Sequence, residues 1–261
     1  VLVMLYGGLV SITFRQLQPR EIITLVQKSG LKGIEWGGDV HVPHGNLHAA
    51  REVGHMTREA GLTVAAYGSY YRVGCQGQEG VPDFRDVLET ALELEAPLIR
   101  VWAGNIGSER ADQRVWDRAV EDSIRIGDMA KGEDIIVAYE YHSDTLTDTL
   151  ESNQRLINEV NHPNVRSYWQ PLAHHDIKNR MDGLEQILSR LENVHVYHWI
   201  DGDRLPLEDG YQEWRQYLRL LRDIPGQHYA LIEFVKGDRA EQFLEDAETL
   251  KRWLGEDFHI D

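Results

Sequence analysis

Residues 194–204 read VHVYHWIDGDR. Val194, Val196 and Tyr197 are good strand formers, and Asp201, Gly202 and Asp203 end any strand. The pattern predicts a β-strand with His198 at its C-terminal end and Asp201 and Arg204 on the loop beyond. A histidine, an acid and an arginine at a strand exit can hold a metal together with a hydroxylated or anionic ligand. The fold class then depends on how often an apolar strand opening into a polar loop recurs.

It recurs eight times. Strands are predicted at 9–14, 33–36, 63–67, 98–102, 135–140, 165–169, 194–198 and 229–234. Amphipathic stretches separate and follow them, at 20–29, 47–60, 84–95, a long run ending at Lys131, another ending at Val160, then 183–191, 211–221 and 239–254. Pro19 suits a first helical turn, Asp83 a helix cap, and Gly30 and Gly61 helix stops. Strict strand–helix alternation implies a parallel sheet with right-handed crossovers, and short apolar strands fit a sheet covered on both faces. Eight units in 261 residues predict one closed (β/α)8 TIM barrel spanning 1–261, with a doubly wound open sheet as the alternative. Loops after the strands are long and carry His, Trp, Glu, Arg and Asp. Loops after the helices are short and plain (SGLK, EAGL, EAP, KGED, NHPN, LEN). Active sites of such barrels lie at the C-terminal strand ends, so the long loops mark the functional face.

Composition narrows the partner. Apolar residues make up 42% of the chain, as in a globular protein. Its 27 basic residues against 43 acidic ones leave a net charge of −16, which argues against nucleic acid and against anionic membrane surfaces. A small neutral or modestly charged molecule fits better. Cys75 is the one cysteine, so no intramolecular disulfide forms, in keeping with a cytoplasmic location. The opening VLVMLYGGLVSITF has no basic flank and is too short to span a bilayer; it reads as a buried first strand. The chain begins without methionine, so it need not be the whole gene product.

Glu140 closes strand five within VAYEYH, Glu233 closes strand eight within ALIEF, and His198 closes strand seven. Apolar neighbours alone disfavour a charged carboxylate. In a closed barrel the three converge, and two carboxylates with an imidazole suit Mn²⁺, Zn²⁺, Co²⁺ or Mg²⁺. Singly, each strand-end Glu reads as an ion-pair partner; the recurrence at equivalent ends outweighs that reading. For His41, His44, His142, His174 and His175, each alone, a hydrogen-bonded or solvated histidine is the plainer reading.

Taken together, GLKGIEWGGDVHVPHG, IRVWAG, VAYEYH, PNVRSYWQP, VHVYHWIDGDR and ALIEF resemble the xylose isomerase-like barrels. These are sugar phosphate isomerases and epimerases, a group that includes ketose 3-epimerases, hydroxypyruvate isomerases and inosose dehydratases. The resemblance implies metal ligands at Glu140, His198 and Glu233. The family's fourth ligand, an Asp after strand six, falls on Gln170, whose amide oxygen can ligate but brings no charge. That substitution predicts weaker binding or a softer choice of metal. His174 stands one residue beyond the family's histidine position, at Ala173. Arg204 matches a substrate-binding arginine of the epimerases. Glu35, Trp36 and His41 match a common family opening that walls the pocket, and Trp102 offers an apolar face to a sugar. Plain packing competes for both tryptophans.

The implied chemistry is proton transfer by Glu140 and Glu233 through an enediolate, on a ketose or related polyol carbonyl, with one divalent metal ion. Arg204, His174 and His41 would fix the hydroxyls. An inosose-type dehydratase on the same site is the alternative. So is a non-catalytic sugar-binding protein, which Gln170 favours. Phosphodiester cleavage of the apurinic-endonuclease kind needs more metal ligands and a basic face, and the net charge counts against it. Arg72 and Arg204 could receive a phosphate, but cations are otherwise sparse on this face, which favours a non-phosphorylated sugar. Tyr70 and Tyr71, if exposed, could cap a neighbour's pocket in a homodimer.

Overall fold

Eight parallel strands close on themselves in this computed structural model, which describes residues 3–255. They are β1 (Val3–Val10), β2 (Gly33–Gly37), β3 (Thr63–Arg72), β4 (Leu98–Trp102), β5 (Ile136–Glu140), β6 (Val165–Trp169), β7 (Leu191–Val196) and β8 (Gly226–Ile232). Helices α1 (Pro19–Ser29), α2 (Leu47–Glu59), α3 (Phe84–Leu94), α4 (Gln113–Lys131), α5 (Leu150–Val160), α6 (Ile177–Ile187), α7 (Tyr211–Leu221) and α8 (Ala240–Gly255) alternate with them. β1 pairs with β2 on one side and with β8 on the other, Leu9 opposite Ile232, so the sheet is a closed (β/α)8 TIM barrel and not an open one. Among the described residues no helix is long and apolar enough to cross a membrane.

Strand alternation sorts the side chains into two cores. Ile34, Trp36, Ile99, Val101, Val137, Tyr139, Trp169, Val194, Val196 and Ile232 point outward and pack beneath the helices. Val10, Leu98, Ala138, Tyr168, Tyr229 and Leu231 fill the barrel's inside. Inward positions two residues further toward the strand ends carry polar groups. β1 and β2 approach closely because both carry glycine at the contact: a Cβ on Gly8 would stand 2.4 Å from the Gly33 carbonyl oxygen.

Several boundaries differ from the sequence expectation. β1 spans Val3–Val10, and Ser11–Phe14 is a 3₁₀ turn instead of the strand expected at 9–14. The Gly7–Gly8 pair belongs inside the strand, where backbone approach demands it. β3 runs on to Arg72, through residues expected to be loop. α6 begins at Ile177, because the Asp176 carboxylate accepts from the Asn179 backbone N–H at 2.8 Å and so caps it; residue 191 already belongs to β7. β7 ends at Val196, and the residues beyond it form a hairpin, Trp199–Ile200 against Asp203–Arg204. Asp201 and Gly202 turn it with φ of 51° and 87°, the positive-φ pair that a two-residue hairpin turn requires.

Candidate functional site

Strand parity builds the site. Glu35 of β2, Arg100 of β4, Tyr168 of β6 and His195 of β7 point into the barrel in one buried layer. Above it stand Glu140 at the end of β5, Gln170 just past β6 and Glu233 just past β8. Glu35 and His195 are completely buried, and Arg100 is 2% exposed. Arg100 Nε donates to Glu35 at 2.6 Å, and its Nη1 donates to Glu140 Oε2, which also accepts from Trp102 Nε1. Gln170 Nε2 donates to Glu140 Oε1 at 3.2 Å and to the Tyr141 carbonyl at 2.9 Å. Tyr168 donates its hydroxyl to Glu35. His195 Nε2 stands 3.2 Å from Glu35, and its Nδ1 stands 3.2 Å from Glu140 and 3.4 Å from Glu233.

Burial by itself would neutralise these carboxyls, yet Arg100, His195 and their hydrogen bonds together outweigh it. Glu35 is held down to about 2 by Arg100 and His195 against the burial that raises it. Glu140 is likewise held well below the usual carboxylate range by Arg100 and His195. Burial opposes the charged imidazole of His195, but Glu233 and Glu35 prevail and hold its pKa well above the ordinary value.

Over this floor opens a cavity of about 360 Å³. Tyr70, Trp102, Tyr197, Trp199 and Phe234 give it aromatic walls, and Arg15, His142 and His174 add polar groups. Trp102 lies against Tyr70 and His142, with ring centroids 5.4 and 4.8 Å apart. Tyr70 and Phe234 adopt φ of 57° and 53°, a left-handed backbone that is strained for large side chains and concentrates at functional sites. Arg15 fixes the Tyr70 hydroxyl at 2.9 Å, and the Thr13 hydroxyl accepts from the Phe234 N–H at 3.0 Å.

The sequence-predicted residues divide into two sets. Glu140, Glu233, Gln170, Trp102 and His174 all line the cavity. Gln170 presents its amide nitrogen to Glu140, so this contact is that of a donor, not of a ligand oxygen. Glu35 lies beneath the cavity instead of walling it. His198 is not brought to the carboxylates. It shares the outward parity of Val194 and Val196, and its ring packs where a Cβ on Gly210 would stand 2.8 Å from Nδ1. His195 takes the place expected of it, and the same alternation that makes Val194 and Val196 an apolar face is the sequence signal for this. Trp36 points outward, with Nε1 on the Thr57 hydroxyl at 3.2 Å. His41 is tied at both ring nitrogens, to Ser11 at 2.9 Å and the Leu17 carbonyl at 3.2 Å, outside this cavity. Arg204 pairs with Asp238 and stacks 4.3 Å over Phe234, a cavity wall that it supports from behind. Arg72 stacks on Trp102 at 4.4 Å. Tyr71 is buried, with its hydroxyl on Asp122 at 2.8 Å, and Tyr70 lines the cavity; neither is the exposed aromatic that capping a neighbour requires. Arg100 and Tyr168 went unremarked, since a polar residue inside an apolar strand is visible only once the strand's inward face is known.

The floor fits a divalent cation. Among the described residues, Glu140, His195 and Glu233 offer ligand atoms within 4.8 Å of one another. Nδ1 of His195 is buried, makes no hydrogen bond and faces both carboxylates. A proton or a dication at that nitrogen answers the same two acids, and exchange of one for the other is how such sites load.

Comparison with known proteins agrees with the barrel fold. A curated relative, a 3-dehydroshikimate dehydratase from Bacillus anthracis, is 23% identical over 278 residues, covering 91% of this chain and 93% of its own. A xylose isomerase-like TIM barrel protein from Mycobacterium smegmatis, solved in complex with magnesium, superposes with a TM-score of 0.74 at 16% identity over 95% of this chain and 96% of that one. A D-psicose 3-epimerase from Clostridium cellulolyticum, solved with D-tagatose, gives 0.68 at 15% identity over 97% of this chain and 100% of that one. The family model for the xylose isomerase-like TIM barrel matches residues 23–253. With that match across nearly its whole length, the chain belongs to the xylose isomerase-like TIM barrel family.

Proposed function

We propose that this protein is a divalent-metal-dependent isomerase or epimerase of a small polyhydroxy carbonyl compound. The observation that carries the reading is the pair of buried carboxylates, Glu140 and Glu233, meeting at the orphan Nδ1 of His195 on the floor of an aromatic cavity. Glu140, His195 and Glu233 would hold the cation, which when bound supplies Lewis acidity toward substrate oxygens. Aromatic walls suit the C–H faces of a sugar and exclude water from the reacting carbon. Glu140 accepts from Arg100, Trp102 and Gln170, so it is held as an anion and oriented. Glu233 has His195 as its neighbour in the layer below and is the carboxylate freer to take a proton from the carbon beside the carbonyl. Protonation of the opposite face by a second donor, on the Glu140 side, would give an epimer, and return of the Glu233 proton to the adjoining carbon would give an isomer. A dehydratase reading is favoured by one observation: Glu140 is tied down by three donors, and loss of a β-hydroxyl needs one cycling carboxylate where epimerisation needs two. The curated dehydratase relative points the same way.

The test is titration of chelator-treated protein with Mn²⁺ by calorimetry, followed by incubation with ketoses, inososes and cyclic hydroxy-ketone acids in D₂O. One equivalent bound by the wild type and none by a Glu140→Gln/Glu233→Gln double variant, with deuterium entering a substrate, is the expected result. No uptake of any divalent ion would instead leave a sugar-binding protein as the reading.

A further inference from the structure

We propose that Glu35 and Arg100 are positioning residues that set the cation site beneath which they lie, Glu35 by fixing the tautomer of His195 and Arg100 by fixing the rotation of the Glu140 carboxylate. The inference rests on the metal reading given above. Glu35 is 0% exposed and does not line the cavity, and Arg100, 2% exposed in the cavity floor, has its guanidinium committed to the Glu35 and Glu140 carboxylates.

Every partner of Glu35 is a donor. Its Oε1 accepts from Arg100 Nε at 2.6 Å, and its Oε2 faces both the Tyr168 hydroxyl and His195 Nε2, the latter at 3.2 Å. An ionised carboxylate can only accept, so the histidine nitrogen facing it carries hydrogen. The other nitrogen, Nδ1, is the orphan that faces Glu140 and Glu233. A ligating histidine needs this division, with its proton held on the far nitrogen by an acceptor and its lone pair on the near one. Arg100 acts on the other side. With Trp102 it occupies Oε2 of Glu140, which leaves Oε1 turned toward His195 Nδ1 and Gln170. β3 makes room for the pair by carrying Gly68. A Cβ there would stand 2.7 Å from Arg100 Nη2 and 2.8 Å from Glu35 Oε1. One guanidinium thus links the acid behind the histidine to the acid beside the cation.

The probe is Zn²⁺, which is diamagnetic and ligates imidazole. Its affinity is measured by competition with a chelating dye, and the ring nitrogens of His195 are followed by ¹⁵N NMR. In the Zn²⁺-loaded wild type, His195 is expected to show a protonated Nε2 and a metal-shifted Nδ1. In Glu35→Gln, the amide cannot accept from all three donors, and Zn²⁺ should bind about 10- to 100-fold more weakly, with the Nε2–H signal lost or split. Gly68→Ala, which pushes the pair apart without touching a ligand, should weaken binding in the same direction. Zn²⁺ carried on Nε2 in the wild type would overturn the proposal without any variant. Wild-type affinity and an unchanged Nε2–H in Glu35→Gln would overturn it alone. A wild type that takes up no cation overturns the metal reading, and this proposal with it.

Discussion

Asp246 and Glu35 are both buried carboxyls, and their surroundings drive them in opposite directions. Glu35 faces a guanidinium and stays ionised. Asp246, on α8, has only neutral donors among the described residues, the Leu207 backbone N–H at 2.9 Å and Gln242 Nε2 at 3.0 Å, so burial pushes its pKa up to about 6, with Glu245 and Asp209 adding to the rise. Its folded pKa lies above the ordinary 3.8, so the protonated form belongs to the fold. The stability it contributes is complete below that ordinary value and is lost as pH rises through about 6. Asp246→Asn keeps an acceptor for Leu207 without the charge. Urea unfolding at pH 4 and pH 7.5 should show the variant gaining on the wild type at the higher pH, by up to about 3 kcal/mol. An equal difference at both pH values would show that Asp246 titrates normally. At this scale the carboxylates of the cavity were legible as strand-closing Glu140 and Glu233. Arg100 was not, because one apolar-strand arginine does not announce which acids surround it.

Among the elements, β1 and β2 approach each other closely at a pair of glycines. A Cβ on Gly8 would meet the Gly33 carbonyl oxygen at 2.4 Å and the Leu231 side chain at 2.5 Å, and a backbone atom cannot rotate away. Gly8→Ala should therefore destabilise the protein by about 2–3 kcal/mol, read as a lower urea midpoint at unchanged slope. A loss below about 0.5 kcal/mol would mean that the strands can part at that point. Helix ends were legible where a single residue dictates them: Asp83 accepts from the Arg85 N–H at 2.9 Å, and Gly30 and Gly61 both adopt φ of 73°. The start of α6 was hidden because its cap, Asp176, sits in a polar run that reads as loop. Asp201–Gly202 was recognised as the end of a strand, but the short segments flanking it could pair only with each other, as a hairpin outside the barrel.

At the scale of the molecule, the site joins β2, β4, β5, β6, β7 and β8, so a bound cation would lock elements far apart in sequence. Ligand bound to the native state alone stabilises it by about 2.7 kcal/mol at one hundred times Kd, which for a chain of this size raises Tm by roughly 5–10 °C. Scanning calorimetry with saturating Mn²⁺ should show this rise in the wild type and in His198→Ala, and lose it in His195→Ala. The opposite order would return the ligand role to His198.

Periodicity by itself determined the eight strand–helix units and the functional face, because alternating apolar strands and amphipathic helices leave few ways to bury both, while closure into a barrel instead of an open sheet was decided by the pairing of β1 with β8. Glu140 and Glu233 followed from their place at strand ends. Which histidine joins them was decided only by the tertiary structure. His195 and His198 lie three residues apart, and a strand turns successive side chains to opposite faces, so one enters the barrel and the other packs under the helices. The Glu35–Arg100 layer was likewise settled only on folding, since closure brings together residues 65 positions apart whose charges are tolerable in the interior only as partners.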